Sequence, residues 1–155
     1  IRYTDNFLAR IIHLLKQQQV DASMLYTSDH GEDIFDDGRH LFLHASPVPS
    51  YYQLHVPLLL WTSDSYREEY PGIEKAASMN RQKNISSSIS FFQTMMELAG
   101  IETPYRNDSL SVTSPLYTEK SRVYLNDHNE PRPLDDIGMR KEDFEMLKKR
   151  GIDAQ

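Results

Sequence analysis

Met24-Leu25-Tyr26-Thr27-Ser28-Asp29-His30-Gly31-Glu32 is the stretch on which the reading of this chain turns. A short, continuous apolar run stops abruptly at a polar cluster, the pattern of a buried strand that ends in a loop. A second buried strand is expected over His55-Val56-Pro57-Leu58-Leu59-Leu60-Trp61-Thr62, with Pro57 near its start, where a missing N–H is tolerated. Ser121 to Leu125 gives a third strand, followed by the polar run Asn126-Asp127-His128-Asn129-Glu130-Pro131. Between Asp33 and Ser50 there is little periodicity, although Asp36-Asp37-Gly38, Pro47 and Pro49 punctuate it. That is long for a simple connection and points to a functional loop.

Helices surround these runs. Thr4 or Asp5 can cap a first helix that ends near Gln19, with Phe7, Leu8, Ile11, Ile12 and Leu15 on its buried face and His13 off it. Short helical pieces are expected over Tyr66 to Tyr70 and Ile73 to Met79, separated by Pro71-Gly72. A longer helix runs from about Ser86 to Leu98, with Ile89, Phe92, Met95, Met96 and Leu98 as its apolar side and Gly100 as its stop. A terminal amphipathic helix covers 140–150, with Phe144 and Leu147 inward and Gly151 beyond its end. Helices alternating with short apolar strands predict an α/β layered fold with a mainly parallel sheet, whose ligands lie beyond the carboxyl ends of the strands.

Composition narrows the function. The chain has 155 residues, enough for one domain with a core, and its net charge of −6 lacks the basic footprint of a nucleic-acid binder. The longest apolar run, Val56 to Trp61, is far too short to cross a bilayer, and no signal peptide is visible. An opening without Met, straight into a helical pattern, leads us to expect a piece of a longer protein. With no cysteine, disulfides and thiolate metal sites are excluded.

Asp29 and His30 carry the clearest chemistry. A carboxylate and an imidazole both suit a borderline divalent cation such as zinc, and a turn permitted by Gly31 can bring neighbours in sequence to one point. Glu32 could orient an imidazole as an outer acceptor. His44 follows on the same loop, with Arg39 and His40 beside it; the alternative for these last two is exposed loop residues. Two protein ligands fall short of the three usual for catalytic zinc, so the residues alone describe half a site. His55 reads as a hydrogen-bonded structural residue, Trp61 as core, and Tyr51 and Tyr52 as surface-loop packing. Asp127, His128 and Glu130 are minor candidates for lining a cleft.

The run Tyr26-Thr27-Ser28-Asp29-His30-Gly31-Glu32 resembles the Ser-Asp-His-Gly-Glu signature of the alkaline phosphatase superfamily, in its sulfatase and phosphoethanolamine transferase branch. Leu43-His44-Ala45-Ser46-Pro47 resembles the transferases' Leu-His-Gly-x-Pro, and His55 to Trp61 their Val-Pro-hydrophobic-Trp strand. Ile1 to Asp5 is similar to the start of the helix before the signature, and Ile85 to Ile101 to a helix ending in Gly-Ile. The likeness covers about 1–101 of a chain read throughout as the C-terminal portion of such a catalytic domain.

This resemblance implies an alkaline-phosphatase-like layered fold in which Asp29 and His30 bind the catalytic metal, while His44 contacts the transferred phosphoryl group or a second metal. Zinc is the implied ion for a transferase, calcium or manganese for a sulfatase or other hydrolase. The implied activity is phosphoethanolamine transfer from a phospholipid donor to lipid A or a related envelope glycan, through a phospho-enzyme intermediate at the periplasmic face of the bacterial inner membrane. Membrane association would come through segments upstream of Ile1. The family nucleophile, a threonine or a formylglycine, maps onto no residue here, so the piece alone is expected to be inert. A hydrolase of the same superfamily and a non-catalytic α/β binding domain are the alternatives.

Overall fold

The computed structural model describes residues 2–44, 48–126, 128 and 130–152. In chain order the elements are α1 (Arg2–Gln18), β1 (Ser23–Thr27), β2 (Asp33–Ile34), β3 (Phe42–Leu43), α2 (Tyr51–Leu54), β4 (Leu58–Thr62), α3 (Asp64–Glu69), α4 (Pro71–Asn80), α5 (Ser87–Leu98), β5 (Val123–Leu125), β6 (Pro131–Pro133) and α6 (Lys141–Lys149). The described strands pair as β1 with β4, β2 with β3, and β5 with β6, the last two antiparallel. The chain divides into two compact units, Ile1–Tyr26 with Leu58–Thr118, and Thr27–Pro57 with Glu119–Gln155.

In the first unit Pro71 opens α4, where its missing N–H costs nothing, so the Pro71-Gly72 break is a helix start and Tyr70 joins α3 to α4. Ser63 caps α3: its Oγ accepts from Tyr66 N at 3.2 Å and from Ala22 N at 3.0 Å, joining the segment before β1 to the end of β4. Gly100, at φ +62°, stops α5 as expected.

The buried face of α5 differs from the expected one. Ser90, Thr94 and Leu98 are buried, whereas Phe92 and Met95 are exposed. The polar pair tolerates burial because it is satisfied: Thr94 Oγ1 donates to Ser90 O at 2.8 Å and accepts from Val112 N at 3.0 Å. Asn80 completes the network by donating to Val112 O and Ser114 O. On α1, Leu8, Ile11, Ile12 and Leu15 are half-buried and His13 is exposed as expected, but Phe7 is exposed too. Trp61 is likewise only half-buried.

The second unit has its own core: Tyr51, Leu134, Met139 and Leu147, with Leu54, Ile137, Phe144 and Ile152 against them. Tyr51 is thus a core anchor rather than surface-loop packing. α6 meets this core through Leu147 and Phe144, as its periodicity predicts, and Gly151 at φ +69° ends it. The expected strand from His55 starts later, at Leu58; His55 instead ends α2, its N–H donating to Tyr51 O. Its ring Nδ1 shares a hydrogen bond with the Tyr51 hydroxyl at 2.8 Å, the structural role expected of it.

Candidate metal centre

β1 delivers the chain to Ser28-Asp29-His30-Gly31-Glu32, and everything that follows in the site belongs to the second unit. The Gly31 N–H donates to Gln53 O at 2.8 Å, seating the loop on α2. A Cβ at Gly31 would stand 1.9 Å from Tyr52 O, so the approach admits only glycine.

The long loop between Glu32 and His44, aperiodic in sequence, is a short hairpin. β2 and β3 pair Asp33 with Leu43 and Ile34 with Phe42, closed by Phe35 N donating to Leu41 O at 3.0 Å. Phe35 and Phe42 stack with ring centroids 5.0 Å apart. Continuing the register outward by one step sets Glu32 opposite His44, and directly opposed residues are near neighbours. Their side chains meet, with His44 Nδ1 2.7 Å from Glu32 Oε1. His30 lies against His44, ring centroids 4.0 Å apart.

His30, Glu32 and His44 each place a ligand atom within 4.8 Å of the others. Hydrogen bonding sets both rings in the same tautomer. His30 Nδ1 lies 2.9 Å from Gly31 O, which can only accept, and His44 Nδ1 faces a carboxylate oxygen. In the neutral rings each Nδ1 therefore carries the proton, leaving each Nε2 with a free lone pair. Asp29 Oδ2 stands 3.7 Å from His30 Nε2, on the lone-pair side of that ring, though outside the three-residue cluster. Backbone N–H groups of Asp29 and His30, then the His30 ring, hold the Asp29 carboxyl below the ordinary carboxylate range. This donor set of imidazole nitrogen and carboxylate oxygen fits zinc. The side chains of His30, Glu32 and His44 are 40%, 40% and 46% exposed, open enough for exchange with solvent.

The other candidates fall elsewhere. His40 is exposed at the hairpin tip with φ +55°. Arg39 is neither an exposed loop residue nor free: it binds Asp37 through Nε and Nη2, and Asp143 bidentately at 2.7 and 2.9 Å. These two carboxylates raise the Arg39 pKa above its ordinary value, and hydrogen bonds from Arg39 in turn hold the Asp37 carboxyl below its own. Glu130 pairs with Arg132 at 2.8 Å, His128 is exposed, and Asp127, with Ala45, Ser46 and Pro47, lies outside the described residues. Asp33, Ser50, Gln53 and Asp143, which hold the hairpin, were invisible to motif and periodicity alike.

A protein-family model described as Sulfatase matches residues 1–101. Phosphoethanolamine transferase EptA of Salmonella typhimurium is 32% identical over 120 residues, 74% of this chain and 21% of that protein. EptA of Escherichia coli K12 is 34% identical over 107 residues, 66% of this chain and 19% of that protein. The chain thus spans about a fifth of the length of the curated relatives it matches. The C-terminal periplasmic domain of Escherichia coli EptC superposes with a TM-score of 0.69 at 26% identity, over 78% of this chain and 33% of that one. A structure of that domain in complex with zinc matches with a TM-score of 0.66 at 23% identity, over 88% of this chain and 38% of that one, which speaks to the fold alone. The alkaline-phosphatase-like fold expected from the signature is the one found.

Proposed function

The chain belongs to the sulfatase family, within the branch that holds the phosphoethanolamine transferases, and from that premise we propose that it carries the metal-binding loops of such a transferase. The observation that carries this reading is the convergence of His30, Glu32 and His44 on a space of 4.8 Å, with Asp29 at 3.7 Å from His30. His30 and His44 bind a divalent ion, zinc by donor type, through the nitrogens that their tautomers leave free, with Asp29 as the anionic partner. Bound there, the ion supplies Lewis acidity toward a phosphoryl oxygen and lowers the pKa of an attacking hydroxyl.

The remaining work falls to side chains. Glu32 holds the His44 ring in place and keeps its Nδ1 protonated. The partly exposed side chains of His30, Glu32 and His44 leave the loop accessible to a phosphodiester headgroup. The donor is proposed to be an ethanolamine phospholipid and the acceptor a lipid A-like glycolipid. The last rests on the Kdo(2)-lipid A phosphoethanolamine 7''-transferase of Escherichia coli, 26% identical over 109 residues, 67% of this chain and 18% of that protein. Periplasmic placement follows the matched periplasmic domains; among the described residues no helix is long and apolar enough to cross a membrane.

The test uses the full-length protein with labelled phosphatidylethanolamine and lipid A. Transfer of label that falls at least 100-fold in His30→Ala and His44→Ala, with weakened zinc binding, supports the reading. Full transfer by either variant would sink it. Because the matched family model is that of the sulfatases, release of free phosphoethanolamine or sulfate to water, without transfer, would move the assignment to a hydrolase.

A further inference from the structure

The hairpin that sets Glu32 against His44 cannot hold its own shape. It has two ladder pairs, Asp33 with Leu43 and Ile34 with Phe42. Phe35, His40 and Leu43 are all at positive φ, at +63°, +55° and +66°, which disfavours side-chain-bearing residues. Ile34, Phe35, Phe42 and Leu43 are exposed. An isolated hairpin of this size is marginal in water, so its geometry is imposed from outside.

Two anchors impose it. At the base, buried Asp33 accepts from Ser50 Oγ at 2.7 Å and from Gln53 Nε2 at 2.5 Å. At the tip, Arg39 forks onto Asp143, which lies 104 positions later, on α6. Asp143 is 1% exposed, and its carboxylate also accepts from Tyr51 N at 2.9 Å and Arg140 N at 3.3 Å. One carboxylate thus ties the hairpin tip to α2, the same short helix on which Gly31 and Asp33 are seated. α6 lies beyond the residues that the family model matches.

We propose that Asp143 is a positioning residue for the metal centre: from α6 it holds Arg39 and α2 in register, and through the hairpin it sets His44 against His30. This rests on the metal-binding reading above. It predicts that α6, remote in sequence from these loops, governs how tightly the ion is held.

The experiment is a cycle in the full-length protein: wild type, Asp143→Asn, His44→Ala and the double variant. Apparent zinc affinity is measured by competition with a chelator, and hydrogen exchange of the 33–44 segment is followed in metal-free protein. The expected result is faster exchange in 33–44, and zinc affinity lowered 10- to 100-fold by Asp143→Asn in the wild-type background, the range for outer-shell changes, but less than 2-fold when His44 is already alanine. Unchanged zinc affinity in Asp143→Asn, whatever happens to its melting temperature, overturns the proposal and makes Asp143 merely structural. An equal loss with and without His44 overturns it as well. Should Asp143→Asn not fold, Arg39→Lys, which keeps the charge but loses the bidentate fork, replaces it in the same cycle. If His44→Ala itself leaves zinc affinity intact, the metal reading fails and the positioning claim falls with it, whereas a clamp that fails alone leaves the His44→Ala effect in place.

Discussion

The α5 region of the first unit and the metal-loop hairpin of the second solve opposite problems. Around α5, polar side chains are buried and satisfied by neighbours: Thr94 bridges Ser90 and Val112, and Asn80 closes the segment 112–114. In the hairpin, apolar side chains are exposed, the backbone is strained, and order is brought in by charge, Asp33 below and Asp143 above. The first arrangement gives rigidity without chemistry. The second leaves two imidazoles accessible while fixing their orientation, as the proposed metal centre requires.

Breaking the clamp should have the largest effect on stability. Asp143→Ala removes the buried half of an ion pair and leaves Arg39, whose side chain is 13% exposed, with only Asp37, while Tyr51 N loses its acceptor. Removing one partner of a buried pair costs about 3–5 kcal/mol, and denaturant unfolding of the full-length protein should register it. Gly31→Ala comes next. A methyl group aimed 1.9 Å from Tyr52 O must displace the loop, at about 1–3 kcal/mol for overpacking, and zinc binding should weaken with it. Retained zinc affinity in this variant would show that the loop seat is immaterial to the site.

Thr94→Val sharpens the contrast from the other side. It strands the Val112 N–H in a buried environment, at about 1–3 kcal/mol, and should lower the melting temperature with no change in zinc affinity. The smallest effect is in pH. Burial, then the charges of Arg150 and Arg122, hold the His55 ring below the ordinary histidine value of about 6.5. The unfolded chain therefore takes up this proton first, so the contribution is complete above about pH 6.5 and is lost as pH falls from there through the folded value. Because His55 is partly exposed the loss is small; His55→Gln should flatten the fall in melting temperature between pH 8 and 5.

Much of this was legible in the letters. The strand ending at Thr27, the helix stopped by Gly100 and the helix over 141–149 follow from periodicity and punctuation, and the nearness of Asp29 to His30 from their adjacency. Glu32 as an imidazole acceptor was legible as well, though not its partner. The face of α5 was misplaced because hydrophobicity marks Phe92 and Met95 as inward, while Ser90 and Thr94 are admitted by hydrogen bonds that only the fold reveals. The β2–β3 hairpin was hidden because two residues a side leave no alternation to detect. The pairing of Arg39 with Asp143 could not be read at all: nothing local marks which of many charged residues will meet across 104 positions.

That two imidazoles share one ion is the claim on which the rest depends, and X-ray absorption at the zinc edge tests it most directly. Zinc-loaded full-length protein should show imidazole nitrogens at about 2.0–2.1 Å, their number falling by one in His30→Ala and by one in His44→Ala. An imidazole count that stays the same in either variant would contradict the account.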